Sequence, residues 1–128
     1  MKRKWTILAA LVALAAIAVA TLFLMRSYTM KSAYDRAAAK LASRLDPSVR
    51  ERFEADYTYT LETFWKFYQK DLVSRNDLND VMDRMKQLSS QREVSQSDVF
   101  NFLGFVSGIY TRAQDRSLER RIEEQQSD

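Results

Sequence analysis

The chain has 128 residues, which include 20 Lys and Arg, 17 Asp and Glu, and neither His nor Cys. This length suits one small domain, and the composition excludes catalysis by His or Cys, disulfides, and zinc sites built from thiolates or imidazoles. The formal net charge of +3 comes from residues 2–4, because the rest of the chain carries 17 basic and 17 acidic residues. These opposite charges are interleaved, so we expect no binding of nucleic acid, which needs a clustered positive surface.

The N-terminal segment has the pattern of a membrane signal. Residues 1–4 form a basic tip, and the 21 residues of segment 5–25 include no charged side chain. As a helix this segment is roughly 31 Å long, which matches the hydrocarbon core of a bilayer. We therefore predict a retained transmembrane signal-anchor helix in contact with membrane lipid. The residues expected to form this anchor are Trp5, Leu8, Leu11, Leu14, Ile17, Leu22 and Phe23.

A second interpretation of this segment is a cleaved secretion signal. Ala18, Val19 and Ala20 offer small residues at the spacing of a cleavage site, and cleavage there would leave a mature chain beginning at Thr21. We favour retention, because the apolar part of a signal peptide is usually shorter than this segment.

The basic residues on the two sides of the anchor predict its orientation. Lys2, Arg3 and Lys4 are adjacent, whereas the basic residues that follow the anchor are spread over residues 26–40 and are accompanied by Asp35. Dense positive charge favours the cytoplasmic side of a membrane. We expect a single-pass protein of the inner (cell) membrane, with the tip in the cytoplasm and the C-terminal domain outside it.

The remainder of the chain predicts helices. Apolar residues recur at intervals of three and four within residues 28–45, which indicates a first helix. Asp46 and Pro47 mark the start of a second one, because Asp suits the cap and Pro the first helical position. The expected buried side of this second helix comprises Val49, Phe53, Tyr57, Leu61, Phe64, Trp65, Tyr68 and Leu72.

Two further helices are predicted beyond residue 75. Asn76 or Asp77 is the expected cap of a short third helix whose apolar side lies within residues 78–88. Ser95 and Asp98 have the spacing of a capping box, which predicts the start of the last helix. The expected buried side of that helix comprises Val99, Phe102, Leu103, Phe105, Val106, Ile109, Tyr110 and Ala113.

These elements predict an all-α protein in which an N-terminal transmembrane helix precedes a small antiparallel bundle of about four helices. We divide the chain into the cytoplasmic tip 1–4, the signal-anchor helix 5–25, the bundle domain 26–124 and a frayed tail 125–128.

Gly104 and Gly108 are unusual, since each costs about 1 kcal/mol relative to Ala inside a helix. On a helical wheel they share a face with Asn101 and Thr111, away from the apolar stripe. This face could pack closely against the Ala-rich first helix, could dock a partner or a second copy, or could have no role. Tyr59 is a further candidate for partner contact, because it points away from the apolar stripe of the second helix.

The sequence predicts neither a metal site nor a catalytic site. Asp77, Asp80 and Asp83 recur every three residues, but they lack the loop, the Gly and the final Glu of a calcium hand. Lys31 and Ser32 could nominally form a nucleophile pair, but adjacent residues on a helix diverge by about 100°. We therefore expect no metal, no cofactor and no enzymatic activity.

The expected function is that of a membrane-anchored extracytoplasmic helical interaction module, acting as a subunit or adaptor of an envelope complex. Its partners would be membrane lipid through residues 5–25 and an unidentified protein or a second copy of the chain. The alternative is a cleaved, secreted small helical carrier or chaperone-like binding protein. An apolar cavity among Trp65, Tyr68, Phe102 and Phe105 would favour this alternative.

Overall fold

The structure is a computed structural model that describes residues 2–127. It consists of four helices, α1 (Lys2–Arg44), α2 (Pro47–Gln69), α3 (Arg75–Ser89) and α4 (Gln96–Gln126). Within the described residues there is no strand, and Leu45 and Val94 form an isolated parallel bridge between two connections. The prediction of an all-α fold with a long apolar first helix and a helical bundle is confirmed.

The chain divides into two compact units, one up to Arg36 and one from Ala37 onward. This boundary lies eleven residues beyond the one predicted after residue 25, because the predicted boundary followed composition and the observed one follows contacts. At the other end, α4 continues to Gln126, into the predicted tail. The outermost residues of the predicted tip and tail, Met1 and Asp128, lie outside the described residues.

The junction between α1 and α2 differs in detail from the expected cap. Pro47 takes the first position of α2 as predicted, but the Asp46 side chain makes no capping hydrogen bond to the backbone of α2. Instead, Arg50 donates hydrogen bonds from Nη2 and Nε to the carbonyl oxygen of Ala42, at 2.6 and 3.2 Å. The guanidinium therefore reinforces the 3.3 Å hydrogen bond that the Leu45 amide donates to the same carbonyl at the C-terminal end of α1.

The start of α3 corrects the predicted cap at Asn76 or Asp77. Ser74 is the cap: its Oγ accepts a hydrogen bond from the amide of Asp77 at 3.1 Å, and its own amide donates to the Asp77 carboxylate at 3.2 Å. This reciprocal pair moves the helix start upstream of the predicted position. The box predicted for α4 is confirmed, with Ser95 and Asp98 making the same two hydrogen bonds.

α2 ends at Gln69, three residues before Leu72, the last residue of its expected buried side. Asp71 has a φ of 58°, which is left-handed backbone that ends a right-handed helix. The amides of Asp71 and Leu72 donate to the carbonyls of Tyr68 and Phe67 at 3.1 and 2.9 Å. This is a Schellman pattern, and it closes the helix without a glycine.

The second unit has a closed apolar core. The Tyr57 hydroxyl donates a 2.6 Å hydrogen bond to the Ala38 carbonyl, and burial raises the pKa of this phenol. The predicted stripes of the three later helices supply most of the buried side chains. Those with almost no exposure include Phe64, Phe102, Leu41, Leu78, Met85, Val81, Val99 and Val106.

Side-chain contacts define the direction of the helices in the second unit. Consecutive helices run antiparallel, as expected for an up-and-down bundle. The longest interface is between α2 and α4, which run in the same direction. Phe53, early in α2, shares a surface depression with Phe100, early in α4, while the Phe67 and Tyr110 rings lie 5.4 Å apart further along both helices. As a result, one long side of α4 faces the bundle and the other faces outward.

Candidate interaction surfaces

The first candidate surface is the apolar part of α1. This helix is long and apolar enough to cross a membrane, and none of its most apolar 18-residue window is buried. All seven predicted anchor residues are exposed, with Trp5 at 72% and Phe23 at 73% of their full accessible surface. Large apolar side chains on every side of a helix indicate an apolar surrounding rather than one buried stripe.

The second candidate surface is the outward side of α4, which carries four of the predicted site residues. Asn101, Gly104 and Thr111 are exposed, and Gly108 is half-buried. A Cβ atom placed on Gly104 would meet no heavy atom within 4 Å beyond its own helix backbone. At Gly108 the nearest such atom is Nη1 of Arg112, at 3.4 Å. The expected close packing of the first helix against these glycines is therefore not found, and this face of the bundle is open.

Three large apolar residues on this side of α4 were missed by the sequence analysis. Phe100, Leu118 and Ile122 have 67%, 49% and 53% of their surface exposed. Helical spacing places Leu118 and Ile122 on the glycine face, since about seven residues complete two turns, and places Phe100 between that face and the side of α4 that meets α2. The three- and four-residue spacing that relates Gly104 to Gly108 and Thr111 also reaches these three residues when it is continued in both directions. The predicted buried side of α4 does not include them.

The structure separates Tyr59 from the other four predicted site residues. Tyr59 is 68% exposed on α2. Burial raises the pKa of the Tyr110 phenol, a hydrogen bond with Thr60 opposes this rise, and the nearby Tyr59 phenol adds to it. Tyr110 is about 160° from Gly108 on the α4 wheel, so Tyr59 belongs to the α2–α4 groove and not to the glycine face.

The α2–α4 groove holds an aromatic depression near the start of both helices. It has a volume of about 770 Å³ and is lined by the rings of Phe53 and Phe100, with Arg52 and Asp56 at its polar edge. Phe53 is half-buried, whereas Phe100 is largely exposed. A ring that projects beside a charged rim is a common feature of protein-binding surfaces.

A second depression, of about 720 Å³, lies between the α2–α3 connection and the later part of α4. Its charged residues are three arginines and three carboxylates, so it offers no excess of positive charge for an anion. These are Arg116, Arg120, Arg121, Asp71, Asp77 and Glu124.

The four aromatic residues named for a carrier cavity, Trp65, Tyr68, Phe102 and Phe105, pack within the bundle. The Trp65 and Tyr68 rings lie 5.2 Å apart, and Phe102 is buried. The Arg84 guanidinium lies 4.0 Å from the centre of the Phe105 ring, in a cation–π contact. Neither of the two depressions described above is lined by any of these four aromatic residues.

Two of the residues considered for a metal site or a nucleophile pair make contacts within their own helices. Asp77 belongs to the capping box of α3, while Asp80 and Asp83 are exposed on the same helix. The Lys31 ammonium forms an ion pair with Asp35 at 3.0 Å. In these contacts Asp77 and Lys31 each stabilise the helix to which they belong.

Comparisons of the chain with family models, with curated proteins and with solved structures found no match.

Proposed function

We propose that this protein is a membrane-anchored helical interaction module that serves as a subunit or adaptor of a cell-envelope complex. The observation that carries the proposal is that the apolar segment 5–25 is exposed along its whole length, whereas the bundle buries its own apolar residues. A chain that closes one core and leaves 21 consecutive uncharged residues outside it requires an apolar environment for them.

The charges around the anchor support an extracytoplasmic bundle at the inner membrane. Residues 2–4 place three positive side chains within one helical turn, whereas the basic residues after the anchor are dispersed and the rest of the chain has no net charge. Short, dense positive segments stay on the cytoplasmic side.

The surfaces of the bundle support binding rather than catalysis or transport of a small ligand. Phe100 and Tyr59 project from α4 and α2, and the glycine face of α4 is open. Exposed aromatic rings and a close-approach face suit contact with another protein.

Mass determination and labelling of the protein in its native membrane test the anchor and its orientation. We expect the native product to keep residues 5–25. We also expect an impermeant maleimide, added outside the inner membrane, to label the Arg116→Cys variant but not the Lys2→Cys variant. Because the natural chain has no cysteine, each variant carries a single reactive thiol. The two matched variants report on opposite sides of the anchor.

Two outcomes of these measurements would overturn the proposal. A product that begins at Thr21 in the soluble periplasmic fraction would establish the secreted carrier instead. Labelling of Lys2→Cys together with protection of Arg116→Cys would place the bundle in the cytoplasm.

Co-purification from mild detergent extracts tests the interaction role. We expect proteins that accompany the wild-type chain to be reduced at least about tenfold with Phe100→Glu, because a buried aromatic anchor commonly contributes 2 kcal/mol or more. Glu93→Gln, an exposed change outside the depression, is the control and should retain them. Identical companions in both variants would remove the aromatic depression from the proposal.

A further inference from the structure

We infer that the outward side of α4 pairs with the same side of a second copy of this chain, in antiparallel orientation. The surface involved, here named the α4 seam, consists of Gly104, Gly108, Thr111, Asp115, Leu118 and Ile122. This inference goes beyond the proposed function and is independent of the anchor, since the α4 seam lies wholly within the second unit.

The residues of the α4 seam are spaced for packing against another helix. They follow one another at intervals of four, three, four, three and four, which is the repeat by which two helices pack along a common line. In the structure this line is on the side of α4 opposite the core residues Val106 and Ala113. The repeat is therefore not explained by the packing of the bundle itself.

The second argument is the match of shape between the two ends of the α4 seam. Gly104 leaves open space at one end, and at Gly108 only the end of the Arg112 side chain lies within 4 Å of a Cβ position, while the exposed Leu118 and Ile122 project four residues apart at the other end. The two pairs are separated by 14 residues, which is two full repeats. An antiparallel copy, related by a twofold axis beside residue 113, places Leu118 over Gly108 and Ile122 over Gly104.

The third argument is charge, which decides between antiparallel and parallel pairing. Parallel pairing would place Asp115 against Asp115 of the second copy, and like charges at such a position are destabilising. Antiparallel pairing places Asp115 opposite Thr111, whose hydroxyl can donate to the carboxylate, and beside Arg112. Neither Arg112 nor Asp115 takes part in an ion pair within residues 2–127, so both charges are available.

These three features favour a second copy of the chain over an unrelated protein as the partner of the α4 seam. Each element of the α4 seam has its complement on the same seam, so that every contact occurs twice about the twofold axis. This reciprocity is the defining property of an isologous dimer interface.

Disulfide trapping of the full-length chain in dodecyl maltoside tests the arrangement. We expect a mixture of Gly104→Cys and Ile122→Cys chains to form a disulfide between the two variants. Ile122→Cys alone should form none, because antiparallel pairing separates the two copies of residue 122 by about 27 Å. A disulfide requires the two Cα atoms to lie within about 7 Å. Efficient self-trapping of Ile122→Cys would overturn the antiparallel arrangement.

The molecular mass of the same detergent-solubilised chain provides a second test. Each chain has a mass of 15.0 kDa, so the protein part of the wild-type complex should be twice that mass. Leu118→Glu should shift it to the monomer mass, since it replaces the apolar contact with a charge. Asn79→Glu is the matched control, because it adds the same charge at an exposed residue on α3, off the α4 seam, and should remain dimeric.

Circular dichroism of both variants separates loss of pairing from loss of folding, and we expect full helical signal in each. A wild-type chain of monomer mass would overturn the inference. A dimer that survives Leu118→Glu would do so as well, because its contact would lie elsewhere. Neither result depends on the side of the membrane that the bundle occupies.

Discussion

Replacement of Phe64 by Ala is expected to lower the free energy of unfolding of the bundle by about 3–5 kcal/mol. Phe64 has no exposed surface and lies in α2, which makes the longest interface with α4. The loss combines the transfer of a large ring to water with the cavity that it leaves. Because small domains are stable by about 5–15 kcal/mol, this single change should remove much of the stability of the bundle.

Denaturant unfolding of the full-length chain in detergent, followed by near-ultraviolet circular dichroism, measures this effect. Tyr59→Ala is the matched control, since it removes an aromatic ring from the same helix at a site that is mostly exposed. We expect the control to change stability by about 0.5 kcal/mol or less. Equal effects of the two substitutions would mean that the core of the bundle lies elsewhere.

Substitution of Leu14 by Arg is expected to abolish membrane retention. Leu14 lies near the middle of the apolar segment and is 64% exposed, so the new charge would face the hydrocarbon of the membrane. An Arg at the centre of a membrane helix costs about 2.5–3.5 kcal/mol on insertion scales, and the favourable contribution of Leu is lost in addition. At 1.4 kcal/mol per factor of ten, this corresponds to a change of about 100- to 1,000-fold in the insertion equilibrium.

Carbonate extraction of membranes that contain the full-length variant measures its retention. Tyr28→Arg is the matched control, because it adds the same charge to the same helix, three residues beyond the apolar segment, and should remain in the membrane. Normal retention of Leu14→Arg would show that the segment 5–25 does not hold the protein in the bilayer.

Hydrophobic periodicity was sufficient to predict most of the core. The predicted stripes on α2 and α4 include Phe64, Phe102 and Val106, all of which are buried. The prediction succeeded because a helix has a nearly constant angle per residue, so the identity of its apolar side follows from numbering alone.

The ends of the helices were predicted less well, because they depend on single hydrogen bonds. Ser95 and Asp98 were recognised as a capping box, but the same pair at Ser74 and Asp77 was not. The early end of α2 depends on the left-handed backbone of Asp71, a conformation that no local sequence pattern indicates.

The candidate surface shows the same division. Sequence alone located Gly104 and Gly108 on the outward side of the last helix, but left open whether another helix covered them. Whether another helix covers that face depends on the tertiary packing. The open space at Gly104 shows that no other helix lies in contact with that residue.

The amino-acid sequence by itself determined the all-helical architecture, the apolar N-terminal helix and the buried side of each later helix, because these follow from composition and from the fixed period of a helix. Only the tertiary structure decided that α2 and α4 run side by side, that Tyr59 lies apart from the glycine face, and that Phe100, Leu118 and Ile122 are exposed. These features depend on which helices are neighbours and on how they are aligned along their axes. Contacts between residues that are distant in sequence leave no periodic signal in a single chain.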